Sequence, residues 1–128
     1  MGGIAAANTM NTNGETVLDP DVLAKLESGV GAAIVARLST IFCATVDPRI
    51  VALQRAREVR DFKTLRQVTH DWISDAATLG AMQLSAVARR MEAAALAGDE
   101  NAWTDTHHLV DLAHAAQEAL TKRYGKAA

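Results

Sequence analysis

Cysteine, proline and aromatic residues are all scarce in this chain of 128 residues. The single cysteine, Cys43, excludes an internal disulfide and a thiolate metal cluster. It stands among Ile41, Phe42 and Val46, where a small buried helix residue is expected. Two prolines leave most of the chain free to be helical. Aromatics make up only 4% of the residues against 49% hydrophobic overall, much of it alanine, so the core is aliphatic and suits close helix packing. Neither sign of charge dominates: the formal net charge is −2, which argues against a nucleic-acid binder. No apolar run approaches the ~20 residues of a membrane span. Residues 1–16 carry no Lys, Arg or sustained apolar stretch, unlike a signal peptide, and Ala6 breaks the myristoylation pattern. They are expected to be a flexible leader before one domain over residues 17–125, with the cytoplasm as the compartment.

What is present is helix punctuation. Asp19-Pro20 reads as a cap followed by the first residue of a short helix through about Ser28. After Gly29 and Gly31, the stretch Val30 to Val46 carries Ile34, Leu38, Ile41, Phe42 and Thr45 at helical spacing. Asp47-Pro48 repeats the cap signal and predicts a new helix through about Arg60. Asp61 caps a helix from Phe62 to about Leu79, Gly80 marks a turn or close packing, and Ala81 to Ala97 is helical up to Gly98. Asp99 or Glu100 opens a last helix to about Tyr124, followed by Gly125. Alternating β-branched runs are lacking. Short connections make successive long helices antiparallel, so the expected fold is all-α: an up-down antiparallel four-helix bundle with a short additional N-terminal helix.

The helix from Phe62 to Leu79 is the informative one. At about 100° per residue, Leu65, Val68, Trp72, Ala76 and Leu79 share one narrow sector, the core face. His70 falls on nearly the opposite side, about 160° away, with Ser74 and Ala77 on its own face and Arg66 and Ile73 flanking it. Pattern alone therefore predicts an exposed imidazole in mid-helix with small neighbours that let another surface approach.

The run His70-Asp-Trp-Ile-Ser-Asp-Ala-Ala-Thr-Leu-Gly80-Ala81 is similar to the histidine-phosphotransfer signature H-x-L-K-G-S-A-x-x-L-G-A. His70, the apolar Trp72, Ala76, Leu79, Gly80 and Ala81 agree with it. Asp19-Pro20-Asp-Val-Leu, Gly31 through Phe42, Met91-Glu92 and Gly98-Asp99 extend the resemblance over about residues 17 to 124. It implies a phosphoryl carrier with no kinase domain of its own, working between receiver-domain aspartates and a hybrid sensor kinase in a two-component phosphorelay. His70 would be the phosphoacceptor, and Glu92, one helix later, would orient its ring. Ile73, Ser74 and Ala77 would shape the docking surface. No cofactor is expected; Mg²⁺ belongs to the partner receiver. A monomer is expected, because one bundle of this size buries its own apolar stripes.

Two departures matter. Ile73 stands where the family has lysine, and Ser74 where it has glycine. Without that lysine a phosphoryl group carrying about −2 lacks its neighbouring cation. Arg66, one turn before His70, and Arg89, one turn before Glu92, are candidates to replace it. A wider basic stretch, Arg49, Arg55, Arg57, Arg60, Lys63 and Arg66, would suit the acidic pocket of a receiver by steering association. The departures also leave room for a degenerate module that docks a receiver or kinase without transferring phosphate. A third reading, a metal site at His107, Asp111 and His114, has the spacing of one helix face but no fourth ligand in view. Nucleotide-loop, nucleophile-elbow and kinase motifs are missing.

Overall fold

The computed structural model describes residues 17–125, which are built from helices and contain no strand. Helix α1 (Pro20–Val30) starts as its sequence dictates: the Asp19 carboxylate accepts from the Asp21 N–H at 2.9 Å, and proline takes the first helical position, where no N–H is needed. Helix α2 (Ala32–Val59) is followed by Arg60 at φ 57°, a left-handed cap held by its N–H to the Ala56 and Arg57 carbonyls. The Arg60 guanidinium lies 5.7 Å from the Trp103 ring and pairs with Glu100 at 3.2 Å. Helix α3 (Phe62–Thr78) is capped by Asp61, which accepts from the Thr64 N–H at 3.1 Å. Helix α4 (Met82–Leu96) follows after three residues, a 3₁₀ turn spans Glu100–Trp103, and α5 (Thr106–Tyr124) ends the domain.

The predicted up-down bundle is what forms: α3 packs on α4, α2 on both α3 and α5, and α4 on α5, while the short α1 lies on α2. Val35, Phe42, Val46, Leu53, Leu65, Trp72, Leu84, Met91, Leu109 and Leu120 are among the buried side chains between them. Trp72 heads the fully buried ones by volume.

Three sequence expectations are corrected. Asp47-Pro48 does not start a helix; α2 runs through it unbroken for 28 residues. The buried line Val35, Ser39, Phe42, Val46, Ile50, Leu53 and Ala56 passes across Pro48 at steps of three and four. Packing on both sides outweighs the lost N–H, and the exposed Ala44 leaves the abandoned carbonyl within reach of water. The core stripe is also displaced by one residue from the expected one: of Ile34, Leu38, Ile41, Phe42 and Thr45, only Phe42 is fully buried, and Ile41 is 60% exposed. Finally, Asp99 caps the 3₁₀ turn through the Asn101 N–H at 2.9 Å, and the last α-helix begins at Thr106. The expected leader at 1–16 lies outside the described residues.

Gly80 fixes where the N-terminus of α1 meets the α3–α4 turn. Its φ is +81°, and its carbonyl accepts from the Asp19 N–H at 2.8 Å. A Cβ there would stand 2.9 Å from the Asp19 carbonyl oxygen, so only glycine fits so close to that backbone.

Candidate functional site

The α3 helix turns its faces as the sequence period predicts. Leu65, Val68, Trp72, Ala76 and Leu79 are all buried, and Thr69 joins them by donating its hydroxyl back to the Leu65 carbonyl at 2.8 Å. His70 comes out on the far side, its side chain 68% exposed. Ser74 shares that outward face and is exposed, while Ala77 is half-buried.

The imidazole has one hydrogen-bond partner among the described residues. Its Nδ1 lies 2.8 Å from Oε2 of Glu92 on α4. Side chains lean toward the N-terminus of their own helix. Because α3 and α4 are antiparallel, His70 and Glu92 lean toward each other across the groove between them. Glu92 is only 20% exposed at its side chain, so the acceptor is the more fixed partner. A carboxylate only accepts, so Nδ1 carries a proton in this geometry, and in the neutral ring it is Nε2 that holds the lone pair. Among the described residues nothing hydrogen-bonds Nε2. The result is a nucleophilic nitrogen pointing into solvent, its tautomer set by a carboxylate behind it.

The surroundings are less basic than the linear sequence implies. Of the basic stretch, Arg49 is turned inward: it pairs with Asp75 at 2.8 Å and lies 5.9 Å from the Trp72 ring, tying α2 to α3. Arg60 is engaged with Glu100. Arg66 and Arg89 are exposed, and neither forms an ion pair among the described residues. Ile73 is half-buried and packs against the core. Asp71, beside His70, accepts from the Gln67 amide at 3.1 Å.

Two features along α3 were not singled out from sequence. Ser85, buried at the start of α4, donates to the Ile73 carbonyl at 2.8 Å. A shallow apolar groove of about 220 Å³ runs between α2 and α3, lined by Leu38, Ile41, Thr45 and Thr78. The exposed Ile34, one turn before Leu38, lies on the same side of α2. The sign of that surface was in the sequence: an isoleucine pair one step off the buried line has nothing left to pack against.

Among the described residues no three His, Cys, Asp or Glu side chains are grouped to hold an ion. His107, Asp111 and His114 are all exposed, and His114 instead comes within 3.8 Å of Asp47. Cys43 is half-buried rather than fully buried, its sulfur 3.7 Å from the Gln117 carbonyl, and burial pushes its thiol pKa up. That is the opposite of what a reactive thiol needs. Among the described residues no helix is long and apolar enough to cross a membrane.

A search of curated proteins returns no match. Among solved structures, the crystal structure of histidine-containing phosphotransfer protein B from Pseudomonas aeruginosa PAO1 superposes with a TM-score of 0.76 at 20% identity, covering 84% of this chain and 94% of that one. At that identity the likeness establishes a shared fold. The family model of the Hpt domain matches residues 37–123, a span that contains α3, His70 and Glu92. This chain therefore belongs to the Hpt domain family, the histidine-phosphotransfer modules of two-component signalling.

Proposed function

We propose that His70 accepts a phosphoryl group from the aspartyl phosphate of one receiver domain and returns it to the aspartate of another. The observation that carries this reading is the ring itself: exposed, and held through Nδ1 so that Nε2 faces outward. Nε2 attacks phosphorus as its bond to the aspartyl oxygen breaks. The electron pair of that bond leaves with the carboxylate, and the imidazole takes the positive character. The Nδ1 proton stays on the ring, donated to Glu92, whose carboxylate stabilises that charge; in the return step the N–P bond breaks and the neutral ring is restored.

The bundle supplies a nucleophile and a surface. Mg²⁺ and the acceptor aspartate come with the receiver, and a hybrid sensor kinase is the expected upstream source. Ile73, Ser74 and Ala77 form the near part of the docking surface. Arg66 and Arg89, exposed and without an ion pair among the described residues, provide the positive charge that the missing lysine would have given. The protein works as a cytoplasmic monomer in this reading. A docking module without transfer is the second reading, favoured by Ile73 and Ser74 at the positions nearest the ring.

The test is to incubate the chain with phosphorylated receiver domains and labelled phosphate. Acid-labile label on the wild type and none on His70→Gln is the expected result. Receiver binding without any label decides for the docking module, and equal labelling of His70→Gln assigns the wrong nucleophile.

A further inference from the structure

The His70–Glu92 bond is exposed, and exposed pairs of this kind hold little by themselves. Something else has to keep α3 and α4 in the register that makes it. The two helices pack together, and Leu65, Val68 and Trp72 on one and Leu84, Ala88 and Met91 on the other are buried in the same apolar core. Such packing is non-directional, and the three-residue connection at 79–81 ties the two helices at one end only. A buried hydrogen bond has no such tolerance. Ser85 supplies one: its hydroxyl, on a residue 4% exposed, donates to the Ile73 carbonyl at 2.8 Å.

The placement matters more than the bond. Ser85 and Glu92 are seven residues apart on α4, about 700° of rotation, so they share the face turned to α3. Ile73 is one turn beyond His70 on α3. The two contacts are thus successive rungs between the same helix faces, one buried and one exposed. A shift of about 1 Å along the line of the exposed contact stretches it from 2.8 Å to beyond the reach of a hydrogen bond.

We propose that Ser85 is a positioning residue for phosphotransfer: by pinning α4 to the Ile73 carbonyl it sets the register in which Glu92 holds the His70 tautomer. This rests on the phosphoacceptor reading only for its consequence, since the tautomer is observable without phosphate.

The experiment uses the full chain with ¹⁵N-labelled histidine, His70 being identified by its loss in His70→Gln. Long-range ¹H–¹⁵N spectra above the imidazole titration separate Nδ1–H from Nε2–H. Wild type is expected to be Nδ1–H. Ser85→Ala is expected to shift the ratio toward Nε2–H by about tenfold, the leverage of one hydrogen bond to a carboxylate, and to match Glu92→Ala. Ser85→Thr, which keeps the hydroxyl, is expected to restore it. Val46→Ala, a fully buried position on α2 that takes part in neither rung, serves as the destabilised control with an unchanged tautomer. If Ser85→Ala melts earlier yet keeps the wild-type ratio, Ser85 is merely structural and the proposal is overturned. Should Ser85→Ala not fold, Ser85→Cys, with its weaker donor, takes its place, and a wild-type ratio there overturns the proposal equally. A wild type that shows the tautomer shift on mutation but never takes phosphate from a receiver defeats the phosphoacceptor reading and leaves the positioning role standing.

Discussion

Replacing Gly80 by alanine tests how tightly the N-terminus of α1 is seated. The added methyl meets two backbone atoms, the Asp19 carbonyl oxygen at 2.9 Å and its nitrogen at 3.2 Å, with Val22 Cβ at 3.5 Å behind them. Backbone cannot swing aside as a flexible side chain would. The left-handed conformation at φ +81° costs an alanine about 1–2 kcal/mol. Displacing Asp19 also breaks its 2.8 Å bond to Gly80, worth about 1 kcal/mol. Together these come to about 2–3 kcal/mol, or a fall in Tm of roughly 8–12 °C for a domain of this size. Gly98→Ala is the matched reference: its φ is +65°, but a Cβ there meets nothing within 4 Å. It should lose only the conformational part, roughly 4–8 °C. Thermal melts followed by circular dichroism compare the two. Equal losses would show that the contact with Asp19 is slack and that Gly80 is required for its dihedral angle alone.

Pro48→Ala should stabilise the fold, because α2 gains an N–H for its ladder; allowing for the greater freedom of the unfolded chain, the gain is about 1–2 kcal/mol by denaturant titration, and a loss would mean the ring itself packs. Burial raises the Cys43 thiol above its ordinary 9.0, so the folded state holds that proton longer than the unfolded one. Stability is therefore intact below pH 9.0 and declines as pH rises through the folded value; the decline should be smaller in Cys43→Ala, and thiol alkylation of the native wild type should be slower than that of free cysteine. Hydrogen bonds from Thr64 hold the Asp61 carboxyl below its ordinary 3.8, so its contribution is present above that value and lost as pH falls through the folded one. Asp61→Asn keeps an N-cap acceptor, and its acid-unfolding curve should lack that part of the slope.

The direction of His70 was legible because α3 is a clean amphipathic helix: five apolar residues in one sector leave little choice for the opposite side. The two Asp-Pro pairs show where local signals stop. Asp19-Pro20 caps a helix and Asp47-Pro48 lies inside one, although the dipeptides are identical. What separates them is the continuous line of buried residues across Pro48, which Ser39 in a core position obscured and which Ile34 and Ile41 mimicked one residue away. Glu92 could be named from resemblance, yet its 2.8 Å approach to His70 depends on how two helices are set against each other. The same is true of Ser85, an unremarkable serine in the chain, and of Arg49, which composition counts as surface charge and the fold spends on Asp75 and Trp72.

An imidazole has two nitrogens, and in this bundle one of them is already occupied. Whatever reacts at His70 has a single approach, along the outer edge of the ring. On the phosphocarrier reading, giver and taker must come to the same spot by turns, so the two can never be bound together at the ring. The loaded chain has to exist on its own between visits, and an excess of either unphosphorylated partner should slow the exchange by standing in the other's way.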